Sequence, residues 1–100
     1  IVCDQNGTAL YLNEIAAESY AASGGQALVG TNLLDCHPET ARARFQALLD
    51  SQQANIYTTE KQGVKKLIVQ SPWYRDGEYA GIIELNLEIP GGEMPHFIRD

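Results

Sequence analysis

The sequence predicts an α+β domain: a single antiparallel five-stranded sheet with its helices on one face. Three observations predict it. Asn6-Gly7 sits between two short apolar runs near the start. Ala41, Phe45, Leu48 and Leu49 recur at helical spacing in the middle of the chain. Near the end, Ile83, Leu85, Leu87 and Ile89 alternate with Glu84, Asn86 and Glu88. Helical segments therefore lie between an opening hairpin and closing strands, an order in which one sheet can bury its helices on a single face.

The elements follow in order. Ile1-Val2-Cys3 is an apolar run that ends at Asp4-Gln5-Asn6-Gly7. Asn-Gly is the strongest two-residue hairpin signal, because both residues tolerate positive φ. Thr8 to Leu12 then reads as the returning strand. Asn13 is placed to cap a helix through its side-chain oxygen, and Glu14 suits the positive end of the helix dipole. Ile15, Ala16, Ser19 and Tyr20 fall at helical spacing, and Ser23-Gly24-Gly25 ends the segment. A linking stretch, Leu28 to Leu34, has room for one helical turn. Pro38 suits a helix start, where the amide it lacks would be unpaired anyway. From it an amphipathic helix runs over about 38–51, with Arg42, Arg44, Gln46 and Asp50 on its polar side.

The remainder predicts sheet. Asn55 to Lys61 is β-prone through Ile56, Tyr57, Thr58 and Thr59. Gly63 breaks it. A second strand from Lys65 to Tyr74 is expected to be interrupted or to end near Pro72, since proline gives no amide to a ladder. Asp76-Gly77 marks another tight turn. The third strand, Tyr79 to Ile89, is expected to turn Ile83, Leu85, Leu87 and Ile89 toward the helices and its glutamates toward solvent. Residues 1–89 thus form the domain, and residues 90–100 a C-terminal tail.

Composition narrows the function classes. The 100 residues amount to one domain, and 44% are hydrophobic, so the chain is globular rather than disordered. Seven Lys and Arg stand against thirteen Asp and Glu, for a net charge of −6. Nucleic-acid binding needs a basic stripe, and this chain carries none. No run approaches the ~20 apolar residues of a membrane-spanning helix. Two cysteines, Cys3 and Cys36, are too few for a secreted disulfide framework, so two reduced thiols and a cytoplasmic location are expected, with a Cys3–Cys36 bridge as the alternative. The opening at Ile1 leaves room for the chain to be part of a longer protein.

Three motifs in order carry a resemblance. Asp4-Gln5-Asn6-Gly7-Thr8-Ala9-Leu10-Tyr11-Leu12-Asn13 resembles the opening of PAS domains. Leu28-Val29-Gly30-Thr31-Asn32-Leu33-Leu34 resembles their connector, and Asp76-Gly77-Glu78-Tyr79-Ala80-Gly81 their last hairpin. Asp35-Cys36-His37-Pro38-Glu39 is similar to a bacterial subgroup with Cys-His-Pro before the last helix. The resemblance implies a sensing and interaction module of bacterial signal transduction. Such a module binds a small apolar ligand, or serves dimerisation alone, and passes the event to an attached or separate output protein. It also implies no enzymatic activity. The reactive cysteine of flavin photosensors is missing, because Leu33 follows Gly30-Thr31-Asn32. The helix that would hold a haem-ligating histidine has Arg42 instead, with His37 just outside it. No cofactor is therefore expected, and a haem-binding sensor or a small cone-shaped α+β enzyme remain the alternatives.

The residues offer little independent chemistry. Cys36 at a helix N-terminus would gain reactivity from the helix dipole; the plainer reading is a half-buried thiol beside a capping His37. Two neighbouring ligands make no metal site. The expected ligand pocket is Leu33, Cys36, His37, Phe45, Leu48, Trp73, Ile83 and Leu85. The strand from Lys65 places Leu67, Val69 and Trp73 on one face and Ile68 and Tyr74 on the other. With Ile82, the latter pair predicts an apolar outer face and a homodimer through Ile68, Tyr74 and Ile82.

Overall fold

A computed structural model describes all of residues 1–100. Five strands form one antiparallel sheet in the order β2-β1-β5-β4-β3: β1 Val2–Asp4, β2 Ala9–Tyr11, β3 Asn55–Lys61, β4 Val64–Arg75 and β5 Glu78–Glu88. Between β2 and β3 lie helix α1 (Glu14–Ser19), three short 3-10 turns (Ala21–Ser23, Gly25–Leu28, Leu33–Cys36) and helix α2 (Glu39–Ser51). The α+β class and the single antiparallel sheet are as the sequence predicts.

Turn chemistry sets the first hairpin. The Asp4 side chain accepts from the amides of Asn6 and Thr8, at 2.9 and 3.0 Å. Gly7, at φ +89°, closes the turn, and its amide donates to the Asp4 carbonyl. The linker then runs back along β2. Gly30 donates to the Ala9 carbonyl, Ala9 donates to that of Thr31, and Leu33 donates to that of Gly7. The outer edge of β2 is thereby covered, whereas β3 leaves the opposite edge of the sheet open.

Both helices start where the sequence places them. Asn13 accepts from the Ala16 amide at 2.9 Å and caps α1. Pro38 is the residue before the first turn of α2, with extended backbone. Arg42 ties α2 to the preceding 3-10 turn through the Leu34 carbonyl, at 2.9 Å. The core lies between this helical layer and β1, β2 and β5. Cys3, Ala9, Leu12, Leu28, Leu33, Leu49 and Ile82 are buried there, with Phe45, Leu48 and Tyr79 packed against them.

Two sequence expectations need correction. First, β4 does not end at Pro72 but continues to Arg75, with an interruption only in its register with β5, between Trp73 and Tyr74. β3 pairs only as far as Gln70, so Pro72 has no neighbour on that side to leave without a donor. Second, the faces of the sheet are reversed. Ile82 is buried in the core, and its same-parity neighbour Glu84 faces the helices too. Side chains alternate along a strand, so Ile83, Leu85 and Leu87 point outward, and Leu85 and Leu87 are 47% and 50% exposed. Ile68 pairs with Tyr57 and Asn86 on the helical side and is buried. Ile68 and Ile82 are therefore unavailable as outer-face contacts. Tyr74 is exposed but packs edge-on against Tyr79, whose hydroxyl donates to the Leu49 carbonyl of α2, so it belongs to the helical side as well.

The helices cover only part of the sheet. Every residue of β3 is exposed, and the radius of gyration is 15.1 Å, against about 13 Å for a chain of this length. Residues beyond Ile89 form no helix or strand, and Met94, Phe97 and Ile98 are exposed.

Candidate functional site

The space between the helical layer and the sheet contains a cavity of about 780 Å³, within the range of small-molecule sites. Its apolar part is built from the core outward. Cys3 and Ile82, adjacent across β1 and β5, form the floor. Phe45 and Leu48 come from the apolar side of α2, and Leu28 and Leu33 from the 3-10 turns. Of these, Phe45 and Leu48 are the ones that helical periodicity directs inward.

The other end is polar. Asn55, Gln70 and Glu84 occupy aligned positions on β3, β4 and β5. Asn55 donates its amide to the Gln70 side-chain oxygen at 3.1 Å, and Gln70 donates to Glu84 at 2.7 Å. One carboxylate oxygen of Glu84, Oε1, is thus held in place from the sheet. Tyr57 stands beside this chain, and Tyr20 and Arg44 face it from the helical layer. Burial, then the Glu84 charge, pushes the Tyr20 and Tyr57 phenols above their ordinary values, while Arg44 pulls Tyr57 partly back. From this end a second groove runs over the uncovered part of the sheet, sharing Tyr20, Tyr57 and Glu84 and reaching Lys66, Ile68 and Asn86.

His37 lies at the side of the cavity. Its Nδ1 is 2.6 Å from the Leu33 carbonyl, so Nδ1 carries the hydrogen and Nε2 is the free nitrogen. The ring meets Phe45 edge-on at 5.4 Å. His37 therefore closes the Leu33–Cys36 turn as a cap. Cys36 is the last residue of that turn, with His37 and Pro38 between it and α2. It is exposed, not half-buried, and it stands outside the first turn of the helix. Cys3 is the buried thiol, and burial pushes its pKa up; both cysteines are free.

Of the residues the sequence suggests for the pocket, Leu33, Cys36, His37, Phe45 and Leu48 line the cavity. Trp73, Ile83 and Leu85 do not, for the reversed parity puts them on the outer face. Trp73 has a different task. Its indole N–H reaches across β5 to the Cys3 carbonyl on β1 at 2.9 Å, with the Arg75 guanidinium 5.5 Å from the ring centre. It passes the position of Gly81, with which it pairs, and so ties three strands together. The polar residues Tyr20, Arg44, Tyr57, Gln70 and Glu84 escape the sequence reading. Their only signal is that Tyr57, Gln70 and Glu84 share parity with Ile68 and Ile82.

No three His, Cys, Asp or Glu side chains converge as a metal site requires, and no helix is long and apolar enough to cross a membrane. No family model, curated protein or solved structure matches this chain.

Proposed function

We propose that this chain is a PAS-type sensing module that binds a small ligand between its helices and its sheet, within bacterial signal transduction. The observation that carries the reading is the cavity of about 780 Å³, apolar toward Phe45 and Leu48 and polar toward Glu84. A module used for dimerisation alone would have a filled core. The three motifs in order, with the helices between a hairpin and a meander, support the PAS reading.

The rival enzymatic reading rests on Glu84 and His37 facing one cavity. Against it, Glu84 is held by Gln70 and His37 by the Leu33 carbonyl, so neither is engaged with the other as an acid–base pair would be. Filling the cavity tests the proposal. Ala41→Trp adds a ring at a half-buried lining position on α2. Native mass spectrometry of the purified protein is expected to show a retained small molecule that this variant loses while its circular dichroism is unchanged. A chain that retains nothing, and gives no thermal shift with small apolar probes, would defeat the proposal.

The same reading includes association with a second copy and with an output protein. The outer face now consists of Ile56, Leu67, Val69, Ile83, Leu85 and Leu87, grouped across β3, β4 and β5 by the pairings Ile56–Val69, Leu67–Leu87 and Val69–Leu85. A second copy placed on this face would bury the exposed Ile56, Leu85 and Leu87 of both chains. Apolar burial favours such a pair by about 25 cal/mol per Å², less the cost of association.

A further inference from the structure

The polar end of the cavity presents opposite charges from opposite walls. Arg44 comes from α2, in the helical layer, and Glu84 from the middle of β5, in the sheet. Glu84 takes its hydrogen bond from Gln70 rather than from Arg44. That bond occupies Oε1 and leaves Oε2 as an acceptor. Tyr57 lies in the field of both charges, which oppose one another at its phenol. Beyond them the walls turn apolar, through Phe45, Leu48 and Ile82.

We infer that the ligand is a zwitterion with an apolar body, of which an amino acid with a large apolar side chain is the simplest case. This rests on the sensing role proposed above and names the ligand class for it. The ammonium is bound by Glu84, the carboxylate by Arg44, and the side chain lies against Phe45 and Leu48. A fork of guanidinium donors suits a carboxylate. A carboxylate already oriented by an amide loses little freedom when it accepts from an ammonium. A purely apolar ligand would use neither charged group, and a ligand with one charge would use only one of the two.

The test is calorimetric titration of the 100-residue chain with four compounds of similar shape: phenylalanine, phenethylamine, 3-phenylpropionate and the neutral 3-phenylpropanol. Phenylalanine is expected to bind at least about tenfold more tightly than any other, the loss when one charged hydrogen-bond partner is missing. Arg44→Gln should abolish its advantage over phenethylamine, and Glu84→Gln its advantage over 3-phenylpropionate. Equal binding of all four, with loss in Ala41→Trp, would overturn the zwitterion and leave the cavity reading standing. So would tightest binding by the amine or the acid alone. If none of the four binds, the inference falls, and retention of an unrelated small molecule in native mass spectrometry decides whether the cavity reading falls with it.

Discussion

Gly81 is the position at which the sheet should tolerate a side chain least. It pairs with Asp4 on one side and Trp73 on the other, and its backbone sits at φ +152°. A Cβ there would run into the Cys3 carbonyl oxygen and would lie 2.7 Å from the Asp4 Cα. Both obstacles are backbone, so relief requires moving β1 away from β5. That movement would also pull the Cys3 carbonyl from the Trp73 indole and disturb Cys3 and Ile82 on the cavity floor. Two costs add in Gly81→Ala. A side chain in a backbone region reserved for glycine costs about 1–3 kcal/mol, and overpacking costs typically about 1–3 kcal/mol. Their sum, about 2–6 kcal/mol, is a large share of the ~5–15 kcal/mol that stabilises an ordinary domain. In a domain of this length it corresponds to a fall in Tm of roughly 10–40 °C. Gly63→Ala is the control, since Gly63 also has positive φ, +79°, but a Cβ there meets nothing within 4 Å; it should lose only about 1–2 kcal/mol. Urea denaturation followed by tryptophan fluorescence measures both. If Gly81→Ala costs no more than Gly63→Ala, the close approach of β1 and β5 is wrong.

Three further outcomes are expected. Leu85→Glu should stay folded and shift any dimer seen by analytical ultracentrifugation to monomer, while Ile82→Glu should unfold the chain because it buries a charge; the opposite pattern would restore the sequence-based assignment of faces. Stability should hold through neutral pH and fall above about pH 9: the pKa values of Cys3, Tyr20, Tyr57 and Tyr79 are all raised on folding, chiefly by burial. The unfolded chain therefore releases these protons first, and stability is lost as pH rises toward the folded values. A flat profile to pH 11 would contradict that burial. Purified protein should show no absorbance at about 400–450 nm; a Soret band that disappears in His37→Ala would establish haem binding instead.

Local chemistry made most of the fold legible. Asn6-Gly7, Asn13, Pro38, Gly63 and Asp76-Gly77 each act over a few residues, and each bounds the element it suggests. Helical periodicity placed Phe45 and Leu48 correctly, because a helix with one apolar side buries that side, but it put Arg44 on the polar side, and Arg44 lines the cavity. The alternation from Ile83 to Ile89 misled for a specific reason. It assumes that the apolar side of a strand faces the layer that covers the sheet. Here the covered side of β5 packs Tyr79 and Ile82 against the core and then turns polar at Glu84, Asn86 and Glu88. Alternation reports that a strand has two unlike sides; it does not report which side the rest of the chain takes.

That reversal also connects the two halves of the proposed function. Where the sheet faces the helices, polar residues on β3, β4 and β5 leave a space that the chain does not fill, and a hydrogen-bonded row lines it from Asn55 to Glu84. Where it faces away, the same strands place Ile56, Leu67, Val69, Leu85 and Leu87. Each residue on these strands that serves the cavity is therefore flanked by one that serves the outer surface. A change in twist as a ligand draws Arg44 toward Glu84 would move the outer face as well, because β5 carries both. In the proposed function, β5 would then link an occupied cavity to the outer face without a helix to transmit the change. Ultracentrifugation with and without bound phenylalanine measures that coupling. A dimer constant identical in both conditions, with binding confirmed by calorimetry, would show that β5 does not transmit it.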